Sequence, residues 1–335
     1  MKVFYPAYYR QFSCIAGRCP DSCCKEWSVD VDPESAAFYR GLDGTLGDRL
    51  RQVLQDTEDG TVMVIENGRC PMWRQDGLCR IHAELGHDAL CKTCREFPRL
   101  WHDYGDFVEL GLELSCPEAA RLILTENPAF SVETAAGGES PEYDQEIMRT
   151  LLRTRKDFLD FLDTTALSVP QILAVLLLFA HEVQEELDGG MVAKLDSPAC
   201  IADAQHFANS GDFRALADFF LGLEILTPQW KTRLESSAGE LVWDVRQRAL
   251  LRYFLCRYWL QAVSDYDLLC RVKFAIAACI LVAGLGGDFI ETAQLFSKEI
   301  ENDPDNMEAI LDGAYTSSTL TDVQLLGLLL GDIPH

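Results

Sequence analysis

CIAGRCPDSCC, residues 14–24, and RCPMWRQDGLCRIHAELGHDALCKTCREFP, residues 69–98, carry eight cysteines between them. These are Cys14, Cys19, Cys23 and Cys24 in the first stretch and Cys70, Cys79, Cys91 and Cys94 in the second; Cys116, in LSCPEAARL, completes nine of the thirteen in the chain. Thiolates are soft ligands that select zinc or iron–sulfur centres over hard cations. A segment this dense in thiols therefore reads as built to hold a metal or a cluster, and all nine are candidate ligands. Cys200, Cys256, Cys270 and Cys279 stand singly in apolar helical sequence, where free cysteine behaves as a small hydrophobe, and are read as packing.

The competing reading of the nine is a disulfide framework, which belongs to oxidising compartments and to small domains lacking a core. The chain has 335 residues and 48% hydrophobic content, enough for a core of its own. It opens MKVFYPAYYR with no apolar run of signal-peptide length behind it, so a reducing cytoplasm is expected. Cys23 and Cys24 are adjacent and ill placed to bond each other. The longest apolar runs, ILAVLLLFA and FAIAACILVAG, fall short of the roughly 20 residues that span a bilayer, so no membrane partner is expected. With 53 acidic against 29 basic residues the net charge is −24, which argues against nucleic acid, whose phosphates need a basic footprint. Around the thiols Arg10, Arg18, Lys25, Arg69, Arg74, Arg80, Lys92, Arg95 and Arg99 are positioned to offset the charge of a thiolate centre, or are ordinary surface cations.

The expected fold is mainly α: a cysteine-rich N-terminal α+β domain over residues 1–124, then a helical, bundle-like domain over 125–335. Period-2 alternation predicts short strands at Trp27, Val29 and Val31, at residues 62–66 and at residues 108–114. Asn67-Gly68 predicts a tight turn. Asp32-Pro33 predicts a helix start, with the helix running to about Leu54. After a linker rich in Gly, Pro, Ser and Glu, helical periods recur at residues 147–162, 168–187, 213–226, 241–263, 268–285, 289–300 and 307–314. AGLGGD, residues 283–288, reads as a glycine helix stop and not as a nucleotide loop.

The order CxxxxCxxxCC, then GxCPxWxxxGLCxIHxxLGxxxLCxxCxxFPR, then LSCPEAARLxL resembles the flagellin lysine-N-methylase family and, more loosely, cysteine-rich iron- or zinc-chelating domains. The matching positions lie between residues 5 and 124 and include Tyr8, Phe12, Asp21, Trp27, Asp32, Pro71, Ile81, Phe97, Pro98 and Arg121 beside the nine cysteines. The resemblance implies a methyltransferase that uses S-adenosylmethionine, holds a four-iron four-sulfur cluster and methylates lysine amines of flagellin. Such a cluster takes four ligands, so the remaining thiols serve a second metal or pack. A zinc-stabilised protein-binding module without catalysis is the alternative. His82, His87 and His102 are read as hydrogen-bonded structure before ligands. Tyr5, Tyr8, Tyr9, Trp27 and Trp73 are candidate walls for a sulfonium or ammonium group. The residues that bind the methyl donor and those that act in catalysis are not legible.

Overall fold

The computed structural model describes residues 1–25, 29–58, 60–126 and 128–331, so Trp27 lies outside the described residues. In chain order the strands are β1 Lys2–Pro6, β2 Val29–Val31, β3 Leu54–Asp56, β4 Thr61–Met63, β5 Arg99–Asp103, β6 Phe107–Leu112 and β7 Phe130–Thr134. The helices of the first third are α1 Pro33–Gly41, α2 Gly44–Val53, α3 Arg80–Leu85, α4 Lys92–Glu96 and α5 Pro117–Thr125. Then come α6 Gln145–Thr164, α7 Val169–Leu187, α8 Ser197–Phe207, α9 Phe213–Leu221 and α10 Pro228–Ser236. The last are α11 Gln247–Tyr258, α12 Leu269–Leu285, α13 Phe289–Ile300, α14 Pro304–Thr316 and α15 Asp322–Leu330. The chain is mainly α, as its periodicity predicts.

Two hydrophobic cores organise these elements. The large one gathers α5 to α15 around α12, which is buried over nearly its whole length and packs against α7, α11, α13 and α14. A helix apolar on every side must be buried, which is why residues 274–284 read as an unbroken apolar run; among the described residues no helix is long and apolar enough to cross a membrane. The small core contains Val29, Val31, Ala36, Tyr39, Leu46, Leu50, Val53, Met63, Met72, Ile81 and Leu90 together with Cys70 and Cys91. Tyr8, Phe12 and Ala119 to Leu124 belong to the large core with Met148 and Leu151, so residues on either side of position 124 share one apolar interior.

Each core has its own sheet. In the order β5-β6-β1-β7, β1 runs parallel to β6 and antiparallel to β7, and β5 and β6 form a hairpin. In the order β2-β4-β3 every pairing is antiparallel. The Asn67-Gly68 turn forms as read: φ is +53° and +71°, and Glu66 and Arg69 exchange backbone hydrogen bonds of 2.8 and 3.1 Å.

Several boundaries differ from the expectation. The helix expected from Asp32 to Leu54 is two helices, because Leu42 is extended and the Arg51 guanidinium donates to the carbonyls of Arg40 (2.9 Å) and Leu42 (2.7 Å) at the break. Residues 130–134, expected as linker, form β7 by pairing with β1. Residues 241–246 are not helical; Val242 N–H donates to the Ala283 carbonyl at 3.0 Å and the chain lies along the end of α12.

Candidate functional site

Of the nine thiols Cys94 lies inside a helix, α4, and the others lie in loops and turns or at helix starts. Cys79, Cys91 and Cys116 occupy the N-cap positions of α3, α4 and α5, their carbonyls accepting from Ala83 (2.9 Å), Arg95 (2.9 Å) and Ala120 (2.8 Å). The Lys25–Arg69 bridge and the 2.7 Å bond from Cys70 N–H to the Cys24 carbonyl lay the quartet's end against the second stretch. The Trp73–Cys79 bridge closes the loop between Cys70 and Cys79. Ala16 N–H donates to Cys14 Sγ at 3.4 Å, and Cys19 N–H to the Ala16 carbonyl at 2.9 Å. Asp32 fastens the arrangement: one carboxylate oxygen caps α1 through Ser35 N–H (2.9 Å) and the other accepts Lys92 N–H at the start of α4 (2.8 Å). These two backbone bonds, Lys92 first, hold its carboxyl down to about 2.

All thirteen cysteines are free. Cys70 and Cys91 are buried; Cys19, Cys24, Cys79 and Cys116 are half-buried; Cys14, Cys23 and Cys94 are exposed. The Cys70 thiol donates to Met63 Sδ at 3.3 Å, and neighbouring thiols shift one another's acidity. Proximity to Cys23 and Cys70 pushes the Cys24 thiol down and theirs up, and the Cys91 thiol is lowered and the Cys94 thiol raised in the same way. Burial pushes Cys116 up to about 11 and raises Cys19 and Cys79. Among the described residues no three His, Cys, Asp or Glu side chains already stand round a metal position. The structure thus brings the thiols into neighbouring pairs and leaves the sets open.

Of the other singled-out residues, His82 and His87 are exposed with ring centroids 5.9 Å apart. His102 differs from its reading as a hydrogen-bonded residue: Nε2 is buried without a hydrogen-bond partner, and burial lowers its pKa. Tyr5 and Tyr9 form a tilted pair at 6.1 Å, Tyr8 is in the large core, and the Trp73 ring is covered by the Arg69 guanidinium at 3.9 Å. These rings pack or pair locally and do not form one cage. The cations around the thiols are engaged likewise: Lys25 with Asp21, Arg74 with Asp76, Arg80 with Glu84, Arg10 with Glu133. Cys200 and Cys279 lie in the large core, Cys270 is buried, and Cys256 is half-buried.

What the sequence does not reveal is the joint between the cores. Asp21, inside the quartet, accepts from the Lys298 ammonium of α13 at 2.9 Å, and Gln294 donates to the Ser115 carbonyl at 2.6 Å beside Cys116. Burial raises the Asp21 pKa, but the hydrogen bond and charge of Lys298 outweigh it and the net shift is downward. A cavity of about 690 Å³ opens along this seam, lined by Ile15, Pro20, Asp21, Pro117, Gln294 and Lys298 among others. Another, of about 1380 Å³, lies between α6 and the sheet, over the buried Arg155–Glu109 pair. The one available signal was Lys298 itself, a cation among the apolar positions Ala293, Leu295, Phe296 and Ile300 of α13.

Fold and site together define a mainly helical protein bearing a thiol-rich N-terminal region. Set beside known proteins, the chain is 29% identical over 170 residues to the flagellar biosynthetic protein FliU of Salmonella muenchen, covering 47% of this chain and 94% of that protein. It is 32% identical over 143 residues to the lysine-N-methylases of Salmonella typhimurium and Salmonella choleraesuis, covering 39% of this chain and 34% of each. The alignment thus spans about a third of the length of these lysine-N-methylases. No family model and no solved structure matches. The resemblance to the flagellin lysine-N-methylases, read from the order of the cysteines, is borne out by these relatives.

Proposed function

We propose that the chain is an S-adenosylmethionine-dependent protein lysine N-methyltransferase, acting on a flagellin-type protein and carrying a four-iron four-sulfur cluster on its thiols. One observation carries the reading: a chain similar to proteins named lysine-N-methylase gathers nine free thiols in its first 116 residues. The donor set fits a thiolate-held cluster chemically, being sulfur-only, undivided by disulfides and in excess of four. A reducing cytoplasm, where thiols stay free, is the setting it requires.

When bound, S-adenosylmethionine supplies an electrophilic methyl group, and the protein must present a neutral amine to it. A lysine amine has a reference pKa of about 10.4, which desolvation or nearby cations lower. The seam cavity supplies the cations Lys25, Arg121 and Lys298. Its carboxylates Asp21, Glu118 and Glu291 are engaged by Lys298, Arg121 and Arg233, and Asp288 caps α13 through Glu291 N–H.

Anaerobically purified protein, given labelled S-adenosylmethionine and a flagellin or another lysine-rich protein, is expected to place label on lysine side chains. Protein that contains its metal yet labels no lysine of any such acceptor overturns the reading.

A further inference from the structure

We infer that the cavity of about 1380 Å³ between α6 and the four-stranded sheet is a binding site for a small organic anion: a carboxylate or phosphate head on an aromatic or acyl body. No cysteine lines it among the described residues, and the inference rests neither on metal at the thiols nor on methyl transfer.

Strand register builds one wall. Lys2 of β1 stands between Phe107 of β6 and Thr134 of β7, Phe4 is paired with Glu109, and Pro6 with Phe130, so alternate residues of the three strands turn to one face. From that face Lys2, Phe4, Phe107, Glu109 and Phe130 line the cavity. Met148, Leu152, Arg155 and Leu159, spaced three and four apart on α6, line it from the opposite side. The sheet wall is rigid and rich in rings: Phe4 meets Phe107 edge to face at 6.0 Å, and Phe107 stacks on Tyr104 at 4.8 Å. Phe130 and Leu152 are exposed, so apolar surface faces the open space. A concave, largely apolar surface with a few polar groups converging on it is what receives a small molecule.

Charge decides the head group. Every carboxylate of the lining is engaged: Asp106 by the Tyr143 hydroxyl at 2.6 Å, Glu109 by Arg155, Asp160 by Lys156 and Asp163 by Arg252. The cationic side chains outnumber them five to four, in a chain whose net charge is −24. Lys2 and Arg149 have no carboxylate partner among the described residues, and Arg149 Nε donates to the Gln145 carbonyl at 3.2 Å. Arg155, 8% exposed, sits on the cavity wall. Glu109 takes one N–H from each of its terminal nitrogens, at 2.8 and 2.5 Å, and the remaining donors of the guanidinium have no acceptor among the described residues. A carboxylate or phosphate oxygen entering the cavity meets them, since the planar fork of arginine suits either head.

The test is calorimetric titration of the full-length chain with adenosine 5′-monophosphate, which joins a phosphate to an aromatic body, and with dodecanoate, which joins a carboxylate to an acyl one. Saturable binding of one equivalent of either is expected, and which of the two binds assigns the body. Binding of neither overturns the site, as does adenosine binding as tightly as its monophosphate. Arg149→Glu and Leu152→Glu, both at exposed side chains, are expected to weaken binding about tenfold or more with the melting temperature unchanged, the first by repelling the head and the second by making the apolar wall polar. Arg155→Lys keeps the charge but not the fork, and the same loss is expected. Should that variant fail to fold, the two exposed ones decide: unchanged affinity in both overturns the site. Probe binding in protein that methylates no lysine leaves the site standing and sinks the proposed function alone.

Discussion

Asp21 holds a buried ammonium: the Lys298 side chain is 3% exposed and its charge is answered across the seam by one carboxylate oxygen at 2.9 Å. A hydrogen bond to a charged group contributes about 1.5–3 kcal/mol. Asp21→Ala is therefore expected to destabilise by about 1.5–3 kcal/mol in urea unfolding, and Asp21→Asn, which keeps an acceptor oxygen, by less. Asp32 makes a pH-dependent contribution. Its folded pKa of about 2 lies below the ordinary aspartate value, so its stabilisation is present above about pH 4 and lost as pH falls towards 2. Asp32→Ala removes two caps, with an expected loss of about 1–2 kcal/mol at pH 7. Thermal melts of the two proteins from pH 6 to pH 2 converge if the assignment holds, and a gap that stays constant with pH refutes it.

At the scale of elements, α12 ends at Leu285 because Gly286 adopts φ +68°, the glycine stop legible in AGLGGD. Gly284, two residues earlier in that motif, has a different reason to be glycine. A Cβ there would stand 2.1 Å from the Phe213 ring of α9, within the large core. Gly284→Ala is expected to cost about 2–3 kcal/mol despite alanine's better helix propensity; a neutral or raised melting temperature means that α9 yields readily. Between β6 and α6 the Arg155–Glu109 pair, both side chains 9% exposed, makes two hydrogen bonds of 2.8 and 2.5 Å. Glu109→Ala leaves a buried guanidinium and is expected to lose about 3–5 kcal/mol, read by chemical denaturation.

For the whole molecule the consequence is two bodies of unequal self-sufficiency. The large core draws on α5 to α15, while the small one has few apolar side chains and two of them are cysteines. If metal staples the small core, a chelator under reducing conditions is expected to abolish amide-exchange protection across residues 29–94 and to leave α6 to α15 protected and far-UV helicity largely intact. Equal protection with and without chelator sinks that picture.

How much of this was legible follows from the range of the interactions. Caps, the Asn67-Gly68 turn, the glycine stop and the helical faces are set by residues within a few positions of one another, so the sequence determined the mainly α class, most helix positions and the clustering of thiols. Pairing across more than a hundred residues leaves no local trace. The register of β1 on β6 and β7, the Asp21–Lys298 joint and the placement of Cys116 against one core and Cys70 against the other were decided only by tertiary structure. The physical reason is that a strand edge, a buried charge or a thiol is satisfied by whatever partner the folded chain brings to it, and composition does not encode which.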